Sequence, residues 1–229
     1  QQYTAPLMAK GFEDTILYVY NKLISLNEVG GAPNLFGFTA DEFHNFNLKR
    51  SKDFPHSFNA TSTHDTKRGE DARARINVLS EIAKEWELNL KKWNKINRSK
   101  KARVGSIEAP DANDEYALYQ AMLGAFPFNE KDILSFRERM KAYIVKAVRE
   151  AKVHTGWIKP DKEYEDACTY FVEKLLSPSR TNHFLQRFLP FQKKIAYYGV
   201  FNSLTQTILK FSAPGVPDMY QGSELWELS

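Results

Sequence analysis

The chain has 229 residues, 42% hydrophobic and 14% aromatic, which is enough to bury a core and excludes a disordered chain. Its net charge of +4 comes from nearly balanced bases and acids and argues against a dedicated nucleic-acid binder. A single cysteine, Cys168, excludes an internal disulfide framework and fits a cytoplasmic origin, while no apolar run approaches the roughly 18 residues of a membrane span. No signal peptide is read. The chain opens at Gln1 without methionine and stops at Ser229 directly after a motif-like stretch, which reads as a piece of a longer protein.

Pro6 to Ala9 is short and apolar and suits a strand. Lys10 to Thr15 then forms a turn into a helix over Ile16 to Leu26, with Ile16, Leu17, Tyr20, Leu23 and Ile24 about one turn apart. Lys10, Glu13 and Asp14 therefore fall in a strand-to-helix turn. On local grammar Glu13 and Asp14 equally well favour a helix N-terminus electrostatically. Asn27 to Asn59, rich in Gly, Pro, Asn and Phe, reads as a long ordered loop with short helical turns, of the kind that carries function. Phe36, Phe38, Phe43, Phe46 and Phe54 are expected mostly to pack it down, or else to offer apolar ring faces to a sugar.

The stretch Ala60 to Arg68, Ala-Thr-Ser-Thr-His-Asp-Thr-Lys-Arg, has small and β-branched residues suited to a short strand and then the pair His64–Asp65. A helix follows over Glu70 to Ile82. A carboxylate beside an imidazole at a strand's carboxyl end is where α/β barrels keep their chemistry. The local pattern fits at least as well with Asp65 or Thr66 capping that helix.

Beyond it the sequence is almost wholly helical. Helical spacing runs through Glu70 to Asn97, with a solvated basic stretch at Arg98 to Arg103 and a linker over Val104 to Ala109. Further helices are expected from Pro110–Asp111 through Leu123, from Glu130 to Val153, over Lys162 to Leu176, and as a pair across Thr181 to Leu209. His154 and His183 lie far apart in sequence, without Cys or acidic partners at ligand spacing, so no metal site is expected. The ending, Pro214 to Glu224, changes to a short β-type segment and a polar loop.

Three motifs then stand in order: Met8-Ala-Lys-Gly-Phe-Glu-Asp-Thr15, Ser62-Thr-His-Asp-Thr-Lys-Arg68 and Pro214-Gly-Val-Pro-Asp-Met-Tyr-Gln-Gly-Ser-Glu224. With Ser25-Leu-Asn-Glu-Val-Gly-Gly31, Glu70-Asp-Ala-Arg-Ala-Arg75, Leu118-Tyr-Gln120 and Lys146-Ala-Val-Arg-Glu-Ala-Lys152, the sequence closely resembles the maltooligosyl trehalose synthases. These are a branch of the α-amylase superfamily of glycoside hydrolases.

The resemblance implies an α/β fold that is mostly helical here: the later part of a (β/α)8 TIM barrel with a large helical insertion between the seventh and eighth strands. Residues 1–75 would be barrel with its aromatic loop, 76–208 the insertion, and 209–229 the last strand and its loop. Asp65 matches the superfamily's third catalytic carboxylate, with His64 binding the same sugar ring. Lys67, Arg68, Lys10, Glu13, Asp14, Tyr220 and Glu224 are implied substrate contacts. The implied substrate is a maltooligosaccharide, with no cofactor and no nucleic-acid or membrane partner. No segment matches the family's nucleophile aspartate or acid/base glutamate, so the chain is expected to need a missing N-terminal part of the same enzyme and to be inactive alone. An α-glucan hydrolase or glucanotransferase, and a helical protein-interaction module, stand as alternative readings.

Overall fold

At the centre of the computed structural model, which describes residues 2–229, a helix built on Glu70–Glu81 (α4) carries packing on two sides. Ala72, Ala74, Ile76, Val78 and Leu79 are buried in it, and the helices over Ala112–Ala125 (α6) and His183–Ser212 (α9) close on it. The α9 contact is close at Gly199, where a Cβ would fall 2.5 Å from Arg75 Cγ and 3.0 Å from its Cα. Only a glycine lets the two backbones approach so near.

The rest of the core is aromatic. Trp93, on the helix Ala83–Asn97 (α5), is fully buried among Trp86, Tyr119, Phe184, Phe188 and Phe191, with ring centroids 5.4 to 5.7 Å away. Edge-to-face packing of this kind adds to simple area burial. Helices Ile133–Ala151 (α7) and Lys162–Leu175 (α8) pack side by side, burying Phe136, Met140, Ile144, Phe171 and Val172. No helix among the described residues is long and apolar enough to cross a membrane.

Several expected elements come out differently. Pro6 to Ala9 is not a strand but part of a helix, Thr4–Gly11 (α1). The helix expected over Ile16 to Leu26 shrinks to a π-type turn at Phe12–Ile16 and one turn at Leu17–Val19 (α2), then a 3-10 turn at Ile24–Leu26. Asparagines break it. Asn21 Nδ2 donates to Tyr18 O, and Asn27 Nδ2 donates to Leu17 O and Tyr20 O, offering the backbone partners that a helix would otherwise supply. Gln120 of α6 completes the irregular segment, accepting from Ile24 N and donating to Asn21 O.

The supposed loop over Asn27 to Asn59 contains a 14-residue helix, Ala40–Asp53 (α3), opened by a Thr39–Glu42 capping box. Its phenylalanines do not pack the segment down: Phe36, Phe38, Phe43, Phe46 and Phe54 all stay exposed. Val104 to Ala109 is no linker but a hairpin, Ala102–Val104 (β2) against Ile107–Ala109 (β3), turning through Gly105 at φ 57°. The expected pair of C-terminal helices is the single 30-residue α9, which runs through Pro190. Phe184, Leu185, Phe188, Phe191 and Ile195 are buried on either side of that proline, so packing overrides its lost backbone donor.

The strand expected at Ala60 to Thr63 lies two residues earlier, at Phe58–Asn59 (β1). It pairs in parallel with Val216–Pro217 (β4), Phe58 opposite Val216 and Asn59 opposite Pro217. Val216 N donates to Ser57 O at 2.9 Å and Asp218 N to Asn59 O at 3.1 Å. Arg50 of α3 donates to Asn59 Oδ1 and Pro214 O, clamping both strands from below. Gly215, at φ +121°, lets the chain pass over this clamp.

Candidate active site

Because β1 and β4 run parallel, the loops that leave them, 60–69 and 218–224, issue from the same end of the pair. The first carries His64 and Asp65. A turn over Thr63 to Thr66 is closed locally: Thr66 Oγ1 donates to Thr63 O at 2.8 Å, Thr66 N to Thr63 O at 3.2 Å, and Asp65 N to Thr63 Oγ1 at 3.3 Å. Asp65 and His64 stand out at its tip, their side chains 63% and 80% exposed and 3.3 Å apart.

Helix capping does not occupy this aspartate. The N-cap of α4 is Gly69, with no side-chain cap, and its N–H is taken by Ser229 O at 2.7 Å. Thr66, the other capping candidate, spends its hydroxyl on Thr63. The 440 Å³ groove between α3 and α9 lies beside Thr61, lined by Phe46, Arg50, Phe58 and Lys210, and does not include His64 or Asp65.

Beneath the tip the loop is held at both limbs. On the incoming limb, Thr61 Oγ1 donates to Glu70 Oε2 and accepts from Lys210 Nζ at 2.9 Å, and Arg73 Nη2 donates to Thr61 O. On the outgoing limb, the Glu28 carboxylate accepts from Lys67 N at 2.7 Å and from Arg68 N at 3.4 Å. Burial pushes the Arg73 guanidinium below its ordinary pKa, opposed by the charges of Glu28 and Glu70.

The implied contacts are distributed unevenly. Lys10, Glu13, Asp14 and Lys67 are drawn into one ionic chain: Lys10 Nζ lies 3.2 Å from Glu13 and 3.5 Å from Asp14, whose other oxygen is 3.3 Å from Lys67 Nζ. The Lys67 side chain is only 11% exposed and its ammonium sits over the Tyr18 ring. Burial pushes the Tyr18 hydroxyl up to about 12. Arg68 turns inward, donating to Ile24 O at 3.1 Å and Tyr143 Oη at 2.9 Å, and is buried. Tyr220 and Glu224 sit in the second loop, tied within their own turn: Tyr220 O accepts from Ser223 N and Oγ, and Glu224 Oε2 from Gly222 N.

Glu28, Glu70, Arg73 and Lys210 were not singled out by sequence reasoning as site residues. Glu28 lies 39 positions before Lys67, and no local spacing announces the contact. His154 also needs correcting: its Nε2 lies 2.7 Å from Asp111 Oδ2, so it has an acidic partner after all. Asp111, Asp114 and His154 bring ligand-type atoms within 4.8 Å of one another. Each is already engaged, since Asp111 caps α6 and Asp114 accepts from Tyr164 Oη at 2.6 Å.

No protein-family model matches the chain. A Mycobacterium tuberculosis (strain H37Rv) protein named as a maltooligosyl trehalose synthase is 37% identical over 227 residues, 99% of this chain. Among solved structures, the hypothetical maltooligosyl trehalose synthase of Sulfolobus tokodaii superposes with a TM-score of 0.84 at 45% identity, over 97% of this chain. Over nearly its whole length the chain is thus similar to one stretch of each of these proteins. A glycosyltrehalose synthase structure agrees, with TM-score 0.85 and 46% identity over 99% of the chain. The chain spans 28% of the length of the curated maltooligosyl trehalose synthases it matches and 29% of each of these two structures.

Proposed function

We propose that this chain is the later part of the catalytic region of a trehalose-forming, glucosyl-transferring enzyme of the cytoplasm. Its substrate is a maltooligosaccharide, and it converts the reducing-end α-1,4 linkage to α,α-1,1 by intramolecular transglycosylation, an isomerisation. In this reading β1 and β4 are the seventh and eighth strands of a (β/α)8 barrel, residues 1–75 and 209–229 belong to the barrel, and 76–208 form a helical insertion. The observation that carries the reading is Asp65: a carboxylate at the exposed tip of a loop at the shared end of two parallel strands, free of any capping duty.

Retaining glycosidases work with a nucleophile and an acid/base carboxyl group. Both would come from the part of the relatives' length that this chain does not span. Asp65 supplies the third carboxylate. Ionised, it accepts hydrogen bonds from two adjacent hydroxyls of the reacting ring, and these strengthen as the ring flattens. His64, 3.3 Å away, donates to the same ring. Lys10, Glu13 and Asp14, through the ionic chain to Lys67, shape the neighbouring subsite, and Tyr220 and Glu224 approach from the second loop. Arg68 supports the site from beneath. The released glucose turns and attacks through its anomeric hydroxyl while water is kept out, a task for the aromatic segment 27–59 and the insertion.

Incubating the full-length protein with maltopentaose tests this. Loss of reducing ends without release of glucose is expected, and a rise in reducing sugar would replace the reading with a hydrolase. Asp65→Asn should lower kcat on the order of 10²–10³-fold. The 229-residue chain alone should be inactive.

A further inference from the structure

Asp65 has little of its own to hold it in place. Its side chain is 63% exposed, and the His64 ring 3.3 Å away is more exposed still. The position of the carboxylate is therefore set by the two limbs of its loop, and by whatever fixes those limbs relative to each other.

We infer that Glu28 is the positioning residue for Asp65, joining both limbs of the loop through a single carboxylate. One oxygen accepts from Lys67 N at 2.7 Å, and the other accepts from Arg68 N at 3.4 Å and lies 3.8 Å from Arg73 Nε. Arg73 in turn donates through Nη2 to Thr61 O, on the incoming limb. The path Lys67–Glu28–Arg73–Thr61 thus closes a ring around the base of the loop, with Asp65 at its apex.

Glu28 is itself rigidly placed. Its Oε1 also accepts from Val29 N at 2.9 Å, its N–H donates to Leu26 O, and its carbonyl accepts from Gly31 N. The 3-10 turn just before it, Ile24–Leu26, is anchored to α6 through Gln120 and contributes Ile24 to the core. Glu28 and Arg73 side chains are 12% and 18% exposed, so the ion pair between them is only partly screened by solvent. All three groups facing the carboxylate across the loop are donors. A neutral amide in its place would turn an NH2 toward at least one of them.

This inference rests on the proposed role of Asp65, so the experiment separates the two. Full-length wild type, Asp65→Asn, Glu28→Gln and Arg73→Lys are compared on maltopentaose for kcat, KM, melting temperature and the share of turnovers that release free glucose. A misplacement near 1 Å at a reacting centre can cost on the order of 100-fold. Glu28→Gln should therefore lower kcat about 10- to 100-fold and raise the glucose share with KM little changed, while the melting temperature falls because Arg73 loses its carboxylate partner. Arg73→Lys, which keeps the charge but replaces the planar fork reaching toward both Glu28 and Thr61 with a single-point ammonium, should move the same two readouts and decides the matter if Glu28→Gln does not fold. Wild-type kcat and glucose share in these variants, with kcat of Asp65→Asn lowered on the order of 100-fold or more, overturns the role of Glu28 alone. A wild-type kcat in Asp65→Asn overturns both readings.

Discussion

Lys210 Nζ lies 3.6 Å from Glu70 Oε1, and the two side chains are 1% and 6% exposed, directly beneath Thr61. A helix nearing its C-terminus thus delivers a buried ammonium to the first residue of α4, and the incoming limb of the loop rests on that pair. Removing one partner leaves an uncompensated buried charge, which costs about 3–5 kcal/mol. Lys210→Met should lower the urea midpoint accordingly. The double variant Lys210→Met/Glu70→Gln should be less destabilised than the two single effects added, because the charges vanish together. Additive losses would show that the two groups do not interact.

Gly199 marks a close approach of α9 to α4. An added methyl would sit 2.5 Å from Arg75 Cγ and 3.0 Å from its backbone Cα, and Arg75 cannot swing aside. Its guanidinium is fixed by Gly124 O and Phe126 O and lies over the Phe128 ring. Gly199→Ala should cost about 1–3 kcal/mol by overpacking. Gly156, with open space at its Cβ position, serves as the control: Gly156→Ala should leave the melting temperature almost unmoved.

Much of the helical part was legible because its apolar residues repeat at helical spacing and the N-termini of α6, α8 and α9 carry side-chain caps. α6, α7 and α8 begin and end within about three residues of expectation, and Asp111 and Asp161 cap as their types suggest. The first 59 residues were not. α3 buries almost nothing, so hydrophobic periodicity had no face to report, although Thr39 and Glu42 spell its capping box. The break at Tyr20 depends on Asn27 and on Gln120, the latter about 100 residues away, and no local window contains both. The site divides the same way. His64 and Asp65 announce themselves as a pair at a strand end, whereas Glu28 and Lys210 reach the loop only through tertiary contacts.

Arg68 was expected to touch sugar, and its geometry assigns it other work. Donating to Ile24 O and Tyr143 Oη, it ties the outgoing limb to α7 and to the segment before Glu28. Arg68→Lys keeps the charge but loses the planar fork. Hydrogen bonds from charged groups contribute about 1.5–3 kcal/mol, so unfolding midpoints should fall by that order. KM for maltopentaose should stay within about twofold of wild type. A large rise in KM with unchanged stability would restore Arg68 to the list of sugar contacts.

Asp114 gives the clearest pH signature. Burial, with the neighbouring Asp111 charge adding, raises its carboxyl from 3.8 to about 6, while Tyr164, His154 and Lys101 oppose the shift. The folded state therefore holds the proton more tightly than the unfolded one. The stability this contributes is fully present below about pH 4 and is lost as pH rises through about 6. Asp114→Asn removes that dependence while leaving an acceptor for Tyr164 Oη. Relative to wild type, the variant should gain stability between pH 4 and 6.5, by up to about 3 kcal/mol, and hold the gain above that range. His154 faces the same pair, so the comparison is repeated in His154→Gln. Denaturant midpoints taken across this range check it: a stability difference that stays flat with pH in both backgrounds would mean that Asp114 is ionised in the folded protein as readily as in the unfolded chain.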